Sequence, residues 1–162
     1  MAAAASSTDK QLLTPLRFGC LAPNIYRGGY PLDSNVEFLH SLALKTILSI
    51  TPEPVEAAIK GVNYVHIKCS SSTNKSKKKR PVPITFDIVE AALEIIEDPL
   101  MRPLYVHCLN GSQITSLIAA CYRRRQQWSM SSTMAELERY SDFDRKDIQF
   151  IEDFSEGQTY FV

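Results

Sequence analysis

The chain has 162 residues, 44% of them hydrophobic, and its 18 basic and 18 acidic side chains cancel. That length and composition predict one folded domain with a real core rather than a disordered chain. A cancelled net charge argues neither for nor against a nucleic-acid partner, and no apolar run approaches the ~20 residues that span a bilayer.

Met1 to Ser7 is rich in alanine and serine and lacks the basic start and apolar centre of a secretory signal. Residues 1–15 are expected to be a flexible tail and 16–162 a single domain. The predicted elements then run in order. Two short strands around Ala22-Pro23 take in Arg17 to Cys20 and Asn24 to Arg27, with Gly28-Gly29-Tyr30-Pro31 as a loop. Arg27 is read here as a strand-end residue held in a salt bridge. Asp33 or Ser34 caps a helix through Val36, Phe38, Leu39 and Leu42. Thr46 to Ile50 is an apolar, β-branched strand, broken by Thr51-Pro-Glu-Pro54, after which a short helix is expected from Val55 to Lys60, stopped by Gly61. Val62 to Lys68 alternates as a further strand.

The segment Cys69 to Arg80 is of low complexity and contains Lys75, Lys77, Lys78, Lys79 and Arg80. Such a run can serve as a nuclear-localisation or nucleic-acid patch, or can simply be a solvated loop. It has no interleaved aromatic residues, so stacking on single-stranded nucleic acid is disfavoured. Thr85 to Asp98 is an amphipathic helix with Ile84, Ile88, Ala91, Ala92, Ile95 and Ile96 inward. After the central helix, Arg123-Arg-Arg125 sits where cations oppose the helix dipole, a structural role. A helix capped by Ser131 or Ser132 and a last helix over Asp144 to Phe154 close the chain. Strands alternating with helices predict an α/β arrangement.

The chemistry concentrates in Pro103-Leu-Tyr-Val-His-Cys-Leu-Asn-Gly-Ser-Gln-Ile-Thr115. Leu104 to Val106 reads as a buried strand, Leu109 to Ser112 as a tight turn bending at Gly111, and Ile114, Leu117, Ile118 and Cys121 as one helix face. Cys108 therefore stands just before a helix N-terminus, where unpaired N–H groups and the dipole favour anions and a thiolate. The four cysteines, at 20, 69, 108 and 121, show no C-x-x-C or metal-ligand spacing. Reduced thiols in a cytoplasmic protein are expected, without metal or cofactor, a disulfide between Cys69 and Cys108 being the less favoured alternative.

His107-Cys108, with Gly111 three residues on and the hydroxyl of Thr115, resembles the phosphate loop of cysteine-dependent phosphatases, whose pattern is His-Cys, five residues, Arg, then Ser or Thr. Asn24-Ile-Tyr-Arg-Gly-Gly-Tyr-Pro31, the Pro52-Glu-Pro54 strand end, the lysine-rich loop and Trp128 are collinear with the atypical dual-specificity and tyrosine-protein phosphatases of plants and fungi. Within these the chain is most similar to the fungal oxidant-induced cell-cycle-arrest branch. The resemblance covers about Leu16 to Phe154. It implies a cysteine-dependent phosphatase fold, a central mostly parallel sheet flanked by helices. It implies Cys108 as nucleophile, Thr115 as the loop hydroxyl, and His107 as the residue that orients the loop. Leu109, Asn110, Gly111, Ser112, Gln113 and Ile114 would bind phosphate, and Lys75, Lys77, Lys78, Lys79 and Arg80 would form a basic rim. The implied partner is a phosphorylated ligand, either a phosphoprotein or an inositol pyrophosphate, together with related phosphatase-like proteins.

Two departures qualify that implication. Ile114 occupies the arginine position, which removes two charge-assisted hydrogen bonds worth roughly 1.5–3 kcal/mol each, or about two to four decades in rate. Between Glu56 and Asp87 there is no carboxylate to act as general acid. The leading expectation is a phosphate-binding signalling protein with little or no turnover. The alternative is an active phosphatase on phosphotyrosine or inositol pyrophosphates, with basic-loop lysines standing in for the arginine. A basic-loop adaptor for nucleic acid or nuclear import ranks last.

Overall fold

The run Thr46 to Thr51 is buried at every position, as a strand covered on both faces must be. It lies inside the sheet of the computed structural model, which describes residues 11–56, 59–70 and 82–158. Among these residues the strands are β1 (Gly19–Ala22), β2 (Ile25–Gly28), β3 (Thr46–Thr51), β4 (Asn63–Lys68) and β5 (Leu104–His107). They form one sheet in the order β1-β2-β5-β3-β4, antiparallel between β1 and β2 and parallel elsewhere. The expected mostly parallel sheet is present, and β5 lies at its centre.

Alternation along the strands divides the core in two. Ile25, Leu48, Ile50, Leu104 and Val106 face the larger cluster, which α2 (Phe86–Glu97), α3 (Gln113–Arg125), α4 (Met130–Leu137) and α5 (Arg145–Gly157) cover. Ile47 and Tyr105 face the smaller cluster, with Leu39 of the short α1 (Val36–Ser41). The helix carrying the candidate loop thus lies against the main core. Helices α4 and α5 pack on it from outside.

Several local expectations are corrected. No helix forms over the described part of 55–60, where Pro52 and Pro54 leave bends and open chain. Helix α1 starts at Val36 behind a 3-10 turn over Asp33–Asn35, without a side-chain cap. Helix α4 is capped by Ser129, whose hydroxyl accepts from Ser132 N at 3.1 Å, rather than by Ser131 or Ser132. The buried face of α2 is centred on Val89, Ala92, Leu93 and Ile96, with Ile88 and Ile95 at its margin, one step round from the face read from the isoleucines. Thr85 and Asp144 do cap α2 and α5, and each accepts hydrogen bonds from first-turn amides. The arginine cluster is structural, as expected: Arg123 pairs with Glu136 at 2.8 Å, and Arg125 pairs with Glu97 at 3.2 Å as well as with Glu90. No helix among the described residues is long and apolar enough to cross a membrane.

Leu93 is fully buried where α2 meets the sheet. Leu93→Ala is expected to lower unfolding free energy by about 2–5 kcal/mol, read by urea denaturation.

Candidate active site

Strand β5 ends at His107, and the chain turns immediately into the loop that leads to α3. His107 is completely buried. Its Nδ1–H donates to the Cys108 carbonyl at 2.9 Å, so its Nε2 accepts from the Ser49 hydroxyl at 2.7 Å. Rings flank it on two sides: Tyr105 stacks on it and Tyr30 meets it edge-on. Burial pushes the imidazole down to about 4, so it is neutral at physiological pH and works as a hydrogen-bonded strut.

The turn itself is drawn tight. Gly111 has φ of 70°, the left-handed region, and a Cβ there would lie 2.6 Å from both Gly28 C and Gly29 N. The loop therefore rests directly on the backbone that follows β2. Tyr30 N donates to Leu109 O at 3.1 Å, and the Arg17 guanidinium donates to Asn110 O at 3.0 Å. Asn110 Oδ1 accepts from Ser112 N at 2.9 Å and from the Cys108 thiol at 3.7 Å. The thiol is buried at the base of this turn, one residue beyond the strand.

The remaining loop residues begin α3. Ser112 stands at its N-cap, and its hydroxyl donates to Ser141. Gln113 donates from Nε2 to the buried Asp147 at 2.9 Å, which ties α3 to α5. Ile114 is half-buried and packs against the main core. Thr115 is buried, and its hydroxyl has no hydrogen-bond partner among the described residues. Residues 107–115 thus come together as one loop and first turn. Lys75, Lys77, Lys78, Lys79 and Arg80 lie outside the described residues.

Three features escaped the sequence reading. Arg27 is buried to 1% exposure and forms no ion pair among the described residues. It does not make the salt bridge expected of it. Its Nη2 instead donates to Gly111 O at 3.0 Å and to Ser116 Oγ at 2.7 Å, and its guanidinium lies 3.9 Å over the Tyr140 ring. The only sequence signal was its place two residues after Ile25 in a strand whose alternate positions face the core. Arg17 is the second feature, a cation at the lip of the loop supplied by a residue at positive φ before β1. The third is a cleft of about 260 Å³ beside the loop, between Asn110, Ser112 and Gln113 on one side and residues 141–144 on the other. It brings exposed Asp142 next to the loop from a segment nearly thirty residues downstream, outside the stretch in which a general acid was sought.

A cysteine at a strand end, a glycine-bent turn and a helix N-terminus are together the layout of an oxyanion-binding loop with a nucleophile at its base. A sequence model of the tyrosine phosphatase family matches residues 12–160. The chain belongs to the tyrosine phosphatase family. It is 39% identical to "Putative tyrosine-protein phosphatase OCA6" of Saccharomyces cerevisiae, over 89% of this chain and 71% of that protein. It is 32% identical to inositol diphosphatase DSP5 of Arabidopsis thaliana, over 88% of this chain and 72% of that one. Among solved structures it resembles the core catalytic domain of the PP-IP phosphatase SIW14 from S. cerevisiae in complex with citrate. The TM-score is 0.77 at 28% identity, covering 89% of this chain and 88% of that one. The family membership and fold expected from the motif order are therefore as read.

Two outcomes follow from this geometry. Gly111→Ala is expected to destabilise the chain by about 1–3 kcal/mol, because it imposes both a left-handed alanine and a backbone clash; thermal or chemical denaturation reads it. For His107 the folded value, about 4, lies below the ordinary 6.5, so the unfolded chain takes up the proton first. Its contribution is present above the ordinary value and is lost as pH falls from about 6.5 towards about 4, at a cost of about 3 kcal/mol. Denaturation midpoints across that window should fall with acidification, and His107→Asn, which keeps a donor for the Cys108 carbonyl, should flatten the slope.

Proposed function

We propose that this chain is a phosphate-recognising member of the tyrosine phosphatase family that binds a phosphorylated ligand through residues 108–115 and turns it over weakly or not at all. One observation carries the reading. Position 114, where the family resemblance calls for the arginine that grips the transferring oxygens, holds an isoleucine that packs on the main core. Backbone N–H groups of the loop and the end of α3 can still hold an oxyanion. They do not replace a bidentate guanidinium in a transition state that spreads charge over three oxygens. In this reading Cys108 occupies the nucleophile position, His107 orients the loop through the Cys108 carbonyl, and Thr115 offers its hydroxyl at the first turn. The ligand class is a phosphoprotein or an inositol pyrophosphate, the second supported by the names that DSP5 and SIW14 carry.

Those names also favour a second reading, an active hydrolase of inositol pyrophosphates in which cations outside the loop carry the missing charge. Arg17, already hydrogen-bonded to Asn110 O, and the lysines of 75–80 are the candidates for that work. Asp142, exposed on the cleft, is the carboxylate placed to give up a proton there.

Phosphate release from a phosphotyrosine peptide and from an inositol pyrophosphate, compared among the wild-type chain, Cys108→Ser and Ile114→Arg, separates the two. The first reading expects wild-type release close to that of Cys108→Ser, with vanadate or phosphate still binding. It expects Ile114→Arg to tighten oxyanion binding and to raise turnover by up to about two to four decades. Burying part of the new guanidinium should also lower its stability. Strong Cys108-dependent release by the wild-type chain would establish the second reading instead. A folded Ile114→Arg with no gain in oxyanion affinity would falsify the loop as a phosphate cradle lacking its arginine.

A further inference from the structure

A single exposed leucine is ordinary on a protein surface, whereas several gathered on one strip mark a contact. Leu13, Leu16, Leu32 and Leu109 are each 47–60% exposed, and none joins either core cluster. Hydrogen bonds gather their backbones along the short stretch of chain that follows β2. Gly29 N donates to Leu16 O at 2.8 Å, and Tyr30 N donates to Leu109 O at 3.1 Å. Asn35 Nδ2 donates to Leu13 O at 3.1 Å, and Asn35 Oδ1 accepts from Leu32 N at 2.9 Å. A Cβ at Gly29 would stand 3.3 Å from Leu16 O and 3.2 Å from Asn110 C, so the leucine strip borders the phosphate loop directly.

The cleft of about 260 Å³ on the other border of the loop has the opposite chemistry. Among the described residues its lining holds two exposed carboxylates, Asp142 and Asp144, and no cation. Asp144 Oδ1 accepts from the amides of Lys146 and Asp147, while Asp142 forms no ion pair among the described residues. Half-buried Phe143 stands between them in the lining. The aliphatic stem of a lysine or arginine can lie on such a ring while its charged head meets the carboxylates. A second phosphate group would meet like charge there instead.

We propose that the ligand is a phosphorylated polypeptide segment whose apolar side chain on one side of the phosphorylated residue rests on the leucine strip, and whose lysine or arginine on the other side enters the Asp142 cleft. The inference rests on the phosphate-loop reading and deepens it by selecting a phosphoprotein over an inositol pyrophosphate. Complementarity carries the selection. An inositol pyrophosphate brings neither an apolar group for the leucines nor a cation for the carboxylates, and an extended peptide brings both. Residues two before and two after the phosphorylated one lie about 7 Å from it along such a peptide, and they are the positions the two borders of the loop would read.

The test is fluorescence anisotropy of the full wild-type chain with labelled peptides that carry a non-hydrolysable difluorophosphonate analogue of phosphotyrosine. One peptide has Leu two residues before the analogue and Lys two residues after it, a second has the two reversed, and others replace Leu, Lys or both with Gln. In one of the two orders, Leu should tighten binding about tenfold and Lys about two- to fivefold, the Lys gain shrinking as salt is raised. Leu16→Gln combined with Leu32→Gln should remove the Leu gain and leave the Lys gain, and Asp142→Asn should do the reverse. All three side chains are exposed, so the variants keep the fold. Equal binding of every peptide by the wild-type chain overturns the proposal, and so do gains that survive these substitutions. Tighter binding of an inositol pyrophosphate than of the best peptide, read by competition, also overturns it and assigns the surface to a polyanion. A dimer in sedimentation that the leucine substitutions break overturns it as well, and gives the strip to a second copy of the chain. Inorganic phosphate as competitor addresses the phosphate-loop reading separately. If it displaces no peptide, that reading fails and this inference falls with it; if it displaces all of them while the flanking residues make no difference, only this inference fails.

Discussion

The arrangement depends on one close approach, that of the Gly111 backbone onto Gly28 and Gly29. With no side chain at position 111, the loop after β5 can settle directly on the chain leaving β2, where a Cβ would stand 2.6 Å from backbone atoms. Everything near the thiol is referred to that contact. Tyr30 N reaches Leu109 O, the Tyr105 hydroxyl reaches Gly29 O, and Arg27 reaches Gly111 O, all from the same few residues at the end of β2. A parallel pair of strands thus delivers the Cys108 thiol from one strand and the backbone on which its loop rests from the other.

Around that contact the polar groups are buried, yet nearly all are neutral. Ser49, His107 and the Cys108 carbonyl form a chain of uncharged hydrogen bonds, and low dielectric strengthens each of them. Such a chain stiffens the loop without charging it. Two buried side chains depart from this economy: Arg27, with idle N–H groups, and Thr115, with an idle hydroxyl. Both lie at the loop, Arg27 through its bond to Gly111 O and Thr115 in the first turn of α3. Unsatisfied buried polar atoms are rare enough in native folds to point towards function.

Ile114 places an apolar side chain at the start of α3. An arginine there would leave the helix face to reach the phosphate, whereas an isoleucine extends the apolar face of α3 by one turn and joins the main core. The start of α3 thereby gains packing against the main core. Among the described residues the cations bonded to the loop come from far along the chain, Arg27 on Gly111 O and Arg17 on Asn110 O.

The strand–turn–helix around Cys108, the parallel α/β layout and the caps at Thr85 and Asp144 were legible in the sequence, because each depends on short-range signals: apolar periodicity, a glycine at a bend, a hydroxyl or carboxylate before a helix. Periodicity failed where neighbours override it. The described residues of 55–60 did not form the expected helix, and the buried face of α2 was set by what the sheet and α3 present to it. Arg27 and Asp142 were invisible as site residues for a different reason. They stand 81 residues before and 34 residues after Cys108, and nothing local marks them. The sequence by itself determined which residue is the nucleophile candidate, that it precedes a helix, and that position 114 carries no charge, since these are properties of contiguous residues. Only the tertiary structure decided that Arg27 reaches Gly111 O and that residues 141–144 border the cleft beside the loop, because strand pairing and helix packing, rather than chain proximity, bring those groups together.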